Sequence, residues 1–139
     1  LDMNFKRAVI MVQKEFAQRM AAPAGDDDYS RLSVNGFYRA ECKLLENVPR
    51  SRFWPEPEVD STVVLLTPRP APFPVRDEAH FLKLIDVLFQ QRRKKIGTVL
   101  KMKRMLPEGK RDVLPFMDER VERLTPAQIA ALSDALLSA

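Results

Sequence analysis

Arg52-Phe53-Trp54-Pro55-Glu56-Pro57-Glu58-Val59-Asp60-Ser61, followed directly by Thr62-Val63-Val64-Leu65-Leu66, is the stretch that decides how the rest of the chain is read. Prolines at 55 and 57 hold the backbone extended and remove two amide donors, so the segment is neither a helix nor a central strand. The β-branched and leucine run after it has the length and composition of a buried strand. A stiff loop therefore carries two adjacent aromatics, Phe53 and Trp54, straight into that strand. A flat ring held on a rigid loop suits stacking against an extruded nucleobase. The alternative is that one of the two rings plugs the core, the common fate of large aromatic side chains.

Upstream, Ala8-Val9-Ile10-Met11-Val12 is a continuous apolar run, and its composition predicts a strand buried on both faces, as in a parallel sheet. Glu15 to Ala22 reads as a helix with Phe16, Ala17 and Met20 at helical spacing. Pro23-Ala24-Gly25-Asp26-Asp27-Asp28 is a loop. Arg31 to Ala40 is a second helix with Leu32, Phe37 and Tyr38 inward, although Gly36 inside it costs about 1 kcal/mol relative to Ala. Lys43 to Val48 and Ser61 to Thr67 complete the strands, giving the order β-α-α-β-loop-β.

Downstream, Thr67-Pro68-Arg69-Pro70-Ala71-Pro72-Phe73-Pro74 has proline at every second position and reads as an extended, semi-rigid linker, or else as a proline-rich recognition segment. Phe81, Leu84, Ile85, Leu88 and Phe89 then form an amphipathic helical stripe, continued weakly by Ile96, Val99, Leu100 and Met102 and ended at Leu106-Pro107-Glu108-Gly109. Thr125-Pro126-Ala127-Gln128 starts a last helix, with Thr as N-cap, Pro in the first turn and Gln at the capping-box position. Ile129, Leu132, Leu136 and Leu137 are its predicted inner face.

At 139 residues and 45% hydrophobic, the chain can bury one modest core, or part of one domain plus a small one. The net charge of +4 is unevenly placed. Residues 1–75 carry ten basic and ten acidic side chains, and residues 76–139 carry thirteen and nine, so the surplus lies wholly in the second part. A single cysteine, Cys42, excludes an internal disulfide framework and fits a reducing compartment. A single histidine, His80, without a Cys or Asp cluster speaks against a metal site. No signal peptide and no run of bilayer-crossing length are present, so a cytoplasmic protein without membrane contact is expected.

Nine cations crowd within twenty residues: Arg92, Arg93, Lys94, Lys95, Lys101, Lys103, Arg104, Lys110 and Arg111. Such a run is either a solvated face or a surface that phosphates neutralise. Gln13, Lys14 and Glu15 sit where a strand hands over to a helix, the end of an open α/β sheet at which ligands bind, or else are a polar strand exit. Arg31 is a further basic candidate beside them. Asp60 suits anchoring loop backbone.

The Phe53–Ser61 segment resembles the Phe-x-Pro-x-Pro-x-Val-Asp-Ser loop of the KsgA-type ribosomal RNA adenine dimethyltransferases, and four further segments agree in order. They are Val12–Met20 around Gln13-Lys14-Glu15, Tyr29-Ser30-Arg31-Leu32-Ser33-Val34, Gln91-Arg92-Arg93-Lys94-Lys95 and Arg120–Pro126. The wording of the first and of Val48-Pro49-Arg50-Ser51 is most similar to archaeal members. The resemblance implies an α/β fold: the C-terminal part of a Rossmann-like class I methyltransferase sheet over residues 1–67, a linker at 68–76, and a small all-α RNA-binding domain at 77–139.

It also implies a reaction, double methylation of adenine N6 in small-subunit (16S-type) rRNA by S-adenosyl-L-methionine during ribosome biogenesis, acting as a monomer on the rRNA or a pre-30S-type particle. By resemblance Phe53 stacks the target base, Gln13, Lys14, Glu15 and Arg31 border the substrate cleft, and Arg92, Arg93, Lys94, Lys95, Lys101, Lys103 and Arg104 bind RNA. The family's Gly-rich loop and Asn-Leu-Pro-Tyr tetrapeptide are not in this sequence, whose four glycines, Gly25, Gly36, Gly97 and Gly109, are isolated. The chain is therefore expected to be the C-terminal half of such an enzyme, binding no cofactor and no metal and inactive alone. Glu58 departs from the family, where a Lys often precedes the Val, and puts phosphate contact there in doubt. Three other readings remain: a non-catalytic RNA-binding assembly factor, the related methyltransferases of large-subunit rRNA, and more distantly a mitochondrial transcription factor of the same stock.

Overall fold

The computed structural model describes residues 5–139. Three strands, β1 (Ala8–Gln13), β2 (Ala40–Val48) and β3 (Ser61–Pro68), form one sheet in the order β1-β3-β2. Between the first two lie α1 (Lys14–Ala21) and α2 (Arg31–Arg39), so the predicted β-α-α-β-loop-β order is observed, while the expected opening at Leu1 to Asn4 lies outside the described residues. The helical part contains α3 (Glu78–Phe89), α4 (Ile96–Met102) and α5 (Pro126–Ser138), with a 3-10 turn at Val121–Arg123.

The β1 reading needs correction. Among the described strands, β1 pairs only with β3, and antiparallel, with Ala8 opposite Leu66 and Gln13 opposite Ser61. Its side chains alternate between half-covered and exposed, with Val9 65% and Met11 52% exposed. Ile10 and Val12 pack with Ala17, Val64 and Leu66 on the face that α1 covers. An apolar run alone does not say how many faces are covered; neighbouring elements decide that.

On α2 the inward side is Val34 and Tyr38, with Ser33 also buried, while Phe37 is exposed at its edge and Leu32 is only half-buried. Phe16 of α1 is likewise exposed, leaving Ala17 as that helix's buried residue. Strand β2 starts three residues earlier than predicted, directly from the end of α2, and has a bulge between Leu44 and Glu46.

The helical stripe also breaks where the sequence suggested continuity. α3 ends at Phe89, a turn spans 90–95, and α4 begins at Ile96. That second start is held from outside the helix. The Ile96 amide donates to the Glu119 carbonyl (2.8 Å) and the Gly97 amide to the Met117 carbonyl (2.9 Å). A Cβ on Gly97 would lie 1.9 Å from Arg111 Nη1, so only glycine lets that guanidinium close over the helix start. The predicted N-cap of α5 is present in full: Thr125 Oγ1 accepts from the Gln128 amide and Gln128 Oε1 accepts from the Thr125 amide. Leu137 alone of its predicted inner face is exposed.

One apolar cluster joins the two sides of the proline-rich linker: Tyr29, Val34 and Tyr38 pack with Phe81, Leu84 and Leu88 of α3 and with Ile129 and Leu132 of α5. The linker is itself packed. Phe73 lies 5.8 Å from the rings of both Tyr38 and Phe81, and is stacked on Phe37 at 6.4 Å. Arg69 also lies over the Phe37 ring, 4.5 Å from its centroid, and donates to the Phe37 carbonyl at 2.7 Å. His80 is structural: its Nδ1 lies 2.6 Å from the buried Ser133 hydroxyl.

Candidate nucleic-acid interface

The carboxyl end of β1, the carboxyl end of β2 and the start of β3 meet at one edge of the sheet, since Gln13 and Val48 both pair with Ser61. The Pro49–Asp60 loop closes over this edge, and Asp60 fixes it from two sides. Its carboxylate accepts from the Arg50 amide (2.8 Å), and its carbonyl accepts from the Lys14 amide (3.0 Å). Arg50 extends the brace, donating to the Glu58 carbonyl (3.2 Å) and pairing with Glu56 (3.3 Å). A 3-10 turn at Arg50–Arg52 is closed by the Arg52 amide on Pro49 O (3.0 Å) and the Phe53 amide on Arg50 O (3.2 Å).

The two prolines thus stiffen a loop that hydrogen bonds already hold. Phe53 sits on it half-buried, and Trp54 stands out from it 96% exposed. Gln13, Lys14 and Glu15 are exposed at the same edge, with Glu15 engaged by Arg19 one turn along α1 (2.8 Å).

Arg31 is not brought to this edge. Its guanidinium pairs with Asp86 of α3, and it lines a cavity of about 210 Å³ with Ser30, Asp86, Phe89, Gln90 and Arg92. The resemblance groups it with Lys14; the packing of α2 against α3 gives it Asp86 as its partner.

The basic run is spread over the 90–95 turn (Arg92–Lys95), α4 (Lys101) and the residues just after α4 (Lys103, Arg104), not over one continuous helix. Arg93, Lys94, Lys95, Lys101, Lys103 and Arg104 are exposed, and among the described residues none of the six forms an ion pair. Arg92 is different in kind. It donates to the Asp27 carbonyl (3.1 Å) and to Glu122 Oε2 (3.3 Å), tying the 23–28 loop to the turn before α5. That loop is tied a second time by the Gly25 amide on the Glu122 carbonyl (2.7 Å). Arg92 is therefore a structural clamp as well as a member of the basic run. Arg111 is engaged as well, with Asp118 at 3.1 Å.

Arg104 has a positive φ of 56°, just after α4, where glycine is the residue that closes a helix without strain. Its neighbour completes the motif: the Met105 amide donates to the Leu100 carbonyl at 2.8 Å.

Sequence reasoning passed over Tyr29 as a functional contact. Its hydroxyl donates to the Leu124 carbonyl (2.6 Å), and burial pushes its phenol pKa well above the ordinary value. The pairing is signalled by two of the resembling segments, which contain Tyr29 and Leu124, but nothing local reveals that they touch.

Gln13 passes into Lys14 with no intervening loop. The two glycines with positive φ, Gly25 and Gly109, lie in loops that follow helices, and Gly36 and Gly97 lie inside helices. No group of three or more His, Cys, Asp or Glu side chains poised for a metal ion is found among the described residues, and no helix there is long and apolar enough to cross a membrane.

Comparison with known proteins agrees with this arrangement. The family model described as ribosomal RNA adenine dimethylase matches residues 2–137. A probable ribosomal RNA small subunit methyltransferase A of Methanosarcina acetivorans is 47% identical over 143 residues, covering 98% of this chain and 53% of the relative. The ribosomal RNA small subunit methyltransferase A of a Synechococcus species is 50% identical over 97 residues, 70% of this chain and 35% of the relative. Among solved structures, a dimethyladenosine transferase from Plasmodium falciparum superposes with a TM-score of 0.75 at 27% identity, over 95% of this chain and 57% of that one. The 23S rRNA methyltransferase ErmE superposes less well, with a TM-score of 0.59 at 25% identity, over 94% of this chain and 55% of that one. The chain spans about half the length of the curated relatives it matches. With a family model covering nearly all of its residues and relatives this similar, the chain belongs to the ribosomal RNA adenine dimethylase family.

Proposed function

We propose that this chain supplies the RNA-holding part of an enzyme that dimethylates adenine N6 in small-subunit rRNA during ribosome biogenesis. The observation that carries the reading is the braced Pro49–Asp60 loop, which holds Phe53 at the carboxyl edge of the sheet beside Lys14. A target adenine has to leave its stack before its N6 can react, and on this reading the ring of Phe53 receives it. Lys14 and the six unpaired cations of the 90–95 turn, α4 and the residues just after it hold phosphates and so fix where the strand lies, without reading sequence. On this reading the share of this chain is positioning. Holding an acceptor in the reacting geometry is itself a large part of such a barrier reduction.

Small-subunit rRNA is favoured over large-subunit rRNA because the curated relatives carry that name and the dimethyladenosine transferase superposes better than ErmE. A cytoplasmic monomer working on a pre-30S-type particle is part of the same proposal. A second reading is an RNA-binding assembly factor without chemistry.

The test is RNA affinity against salt. Replacing Arg93, Lys94 and Lys95 with Ala should reduce the slope of log K against log salt by about 2 to 3, at roughly 0.7–0.9 per lost phosphate contact. An unchanged slope would make the run a solvated surface and remove the RNA-binding role. A methylation assay on a protein carrying the glycine loop as well separates the enzyme from the assembly factor.

A further inference from the structure

We propose that Trp54 is a second base-stacking residue, taking a nucleobase next to the target; the proposal deepens the RNA-holding reading and rests on it. Trp54 is the one tryptophan in the chain. At 96% exposure it stands far outside the other exposed aromatics, Phe5, Phe16 and Phe37, which are 40–45% exposed. A bare indole is the side chain with most to gain from a flat partner.

Its exposure is enforced. The Arg50 amide and guanidinium, Asp60, Glu56, and the carbonyls of Pro49, Arg50 and Glu58 all hold the loop that projects it. Swinging Trp54 inward would require breaking that bracing.

Direction follows from the backbone. Phe53 is extended, with φ −110° and ψ 149°, a backbone that turns the side chains of consecutive residues away from each other. A base held by Phe53 in the cleft leaves Trp54 facing the nucleotides that flank it.

Charge points to nucleic acid over an apolar protein partner. Arg52, two residues before Trp54, is exposed and in no ion pair among the described residues, and Glu56 is already paired with Arg50; Glu58, four residues on, is the opposing charge left on the loop. An indole with a free guanidinium beside it offers a stack for a base and a donor fork for its phosphate.

The indole is also the reporter. Deproteinised small-subunit rRNA, added to the 139-residue chain, should quench its tryptophan emission as binding proceeds. Trp54→Ala should weaken binding about 5- to 150-fold, the range for loss of one base stack, with an unchanged salt slope because no charge is lost. Trp54→Phe should recover part of the affinity. The melting temperature of Trp54→Ala should match that of the parent, since the ring has almost nothing to pack against.

Three results would overturn the proposal. RNA bound by the parent chain, seen by anisotropy of a labelled fragment, without quenching or without loss in Trp54→Ala, refutes the stack and leaves the RNA-holding reading standing. Quenching by intact small subunits but not by stripped rRNA assigns Trp54 to a ribosomal protein. Failure of the parent chain to bind rRNA at all removes both.

Discussion

Replacing Arg104 with Gly separates stability from RNA binding at one position. Arg104 occupies a left-handed conformation, φ 56°, immediately after α4. An L-residue in that region costs about 1–2 kcal/mol that glycine does not incur. Glycine loses more chain entropy on folding, about 0.5–1 kcal/mol. The difference favours Arg104→Gly by up to about 1.5 kcal/mol, and the exposed side chain gives up no ion pair among the described residues. A chain under no constraint but stability would carry glycine here. An arginine held at that cost is the pattern of a residue kept for what it touches. Removing one phosphate contact should also lower the salt slope of RNA binding by about 1. Urea denaturation and RNA titration at several salt concentrations read the two effects on one preparation. A variant that is no more stable than the parent, or one that binds RNA with the parent's salt slope, refutes the reasoning on the corresponding side.

Three other outcomes are expected. Phe53→Ala, in a protein carrying the complete methyltransferase fold, should cut methylation at least about tenfold, from loss of roughly 1–3 kcal/mol of stacking, while Phe53→Tyr retains much of it; a fall in stability of several kcal/mol would make Phe53 a core plug instead. Calorimetry should find no micromolar binding of S-adenosylmethionine to the 139-residue chain, and clear binding would show a cradle that the sequence does not reveal. Tyr29→Phe leaves the Leu124 carbonyl without its donor and should cost about 1–3 kcal/mol at neutral pH. Because burial raises the folded pKa of Tyr29, its contribution is fully present below the unfolded value near pH 10 and lost as pH rises beyond it; the variant should lose less stability than the parent between pH 9.5 and 11, and equal losses in denaturation curves would count against the assignment.

What the sequence disclosed was local. The Thr125–Gln128 cap, the proline-stiffened loop and strand β3 each follow from neighbouring residues, and each is observed. What it concealed depends on residues far apart in the chain. Arg92 belongs to an unbroken run of cations, yet its partners lie 65 and 30 residues away, so nothing in the run distinguishes the clamp from the exposed charges. Arg31 is likewise claimed by Asp86, 55 residues on. The break between α3 and α4 was hidden because apolar positions at helical spacing continue on both sides of it. It is made by backbone groups of Met117 and Glu119 and by the space Gly97 leaves for Arg111.

The linker shows most clearly how packing bears on function. Proline at alternate positions predicts a stiff spacer, and a spacer would leave the angle between the Phe53 loop and the basic surface free at its ends. Phe73 removes that freedom by inserting among Phe37, Tyr38 and Phe81, and Arg69 lies over the Phe37 ring. Arg39 adds an ion pair to Glu78 at the start of α3 (2.9 Å). α2, which runs directly into β2, is thereby locked to the helices that flank the basic run, and β2 carries the Pro49–Asp60 loop at its other end. On the proposed reading, a rigid connection of this kind keeps the cations of the basic run at a fixed position relative to the rings of the Pro49–Asp60 loop. The ordering cost of RNA binding then falls on the RNA, and each phosphate held by α4 or the 90–95 turn limits where a base can reach Phe53. Sequence-independent contacts can in this way decide which nucleotide arrives at the stacking ring.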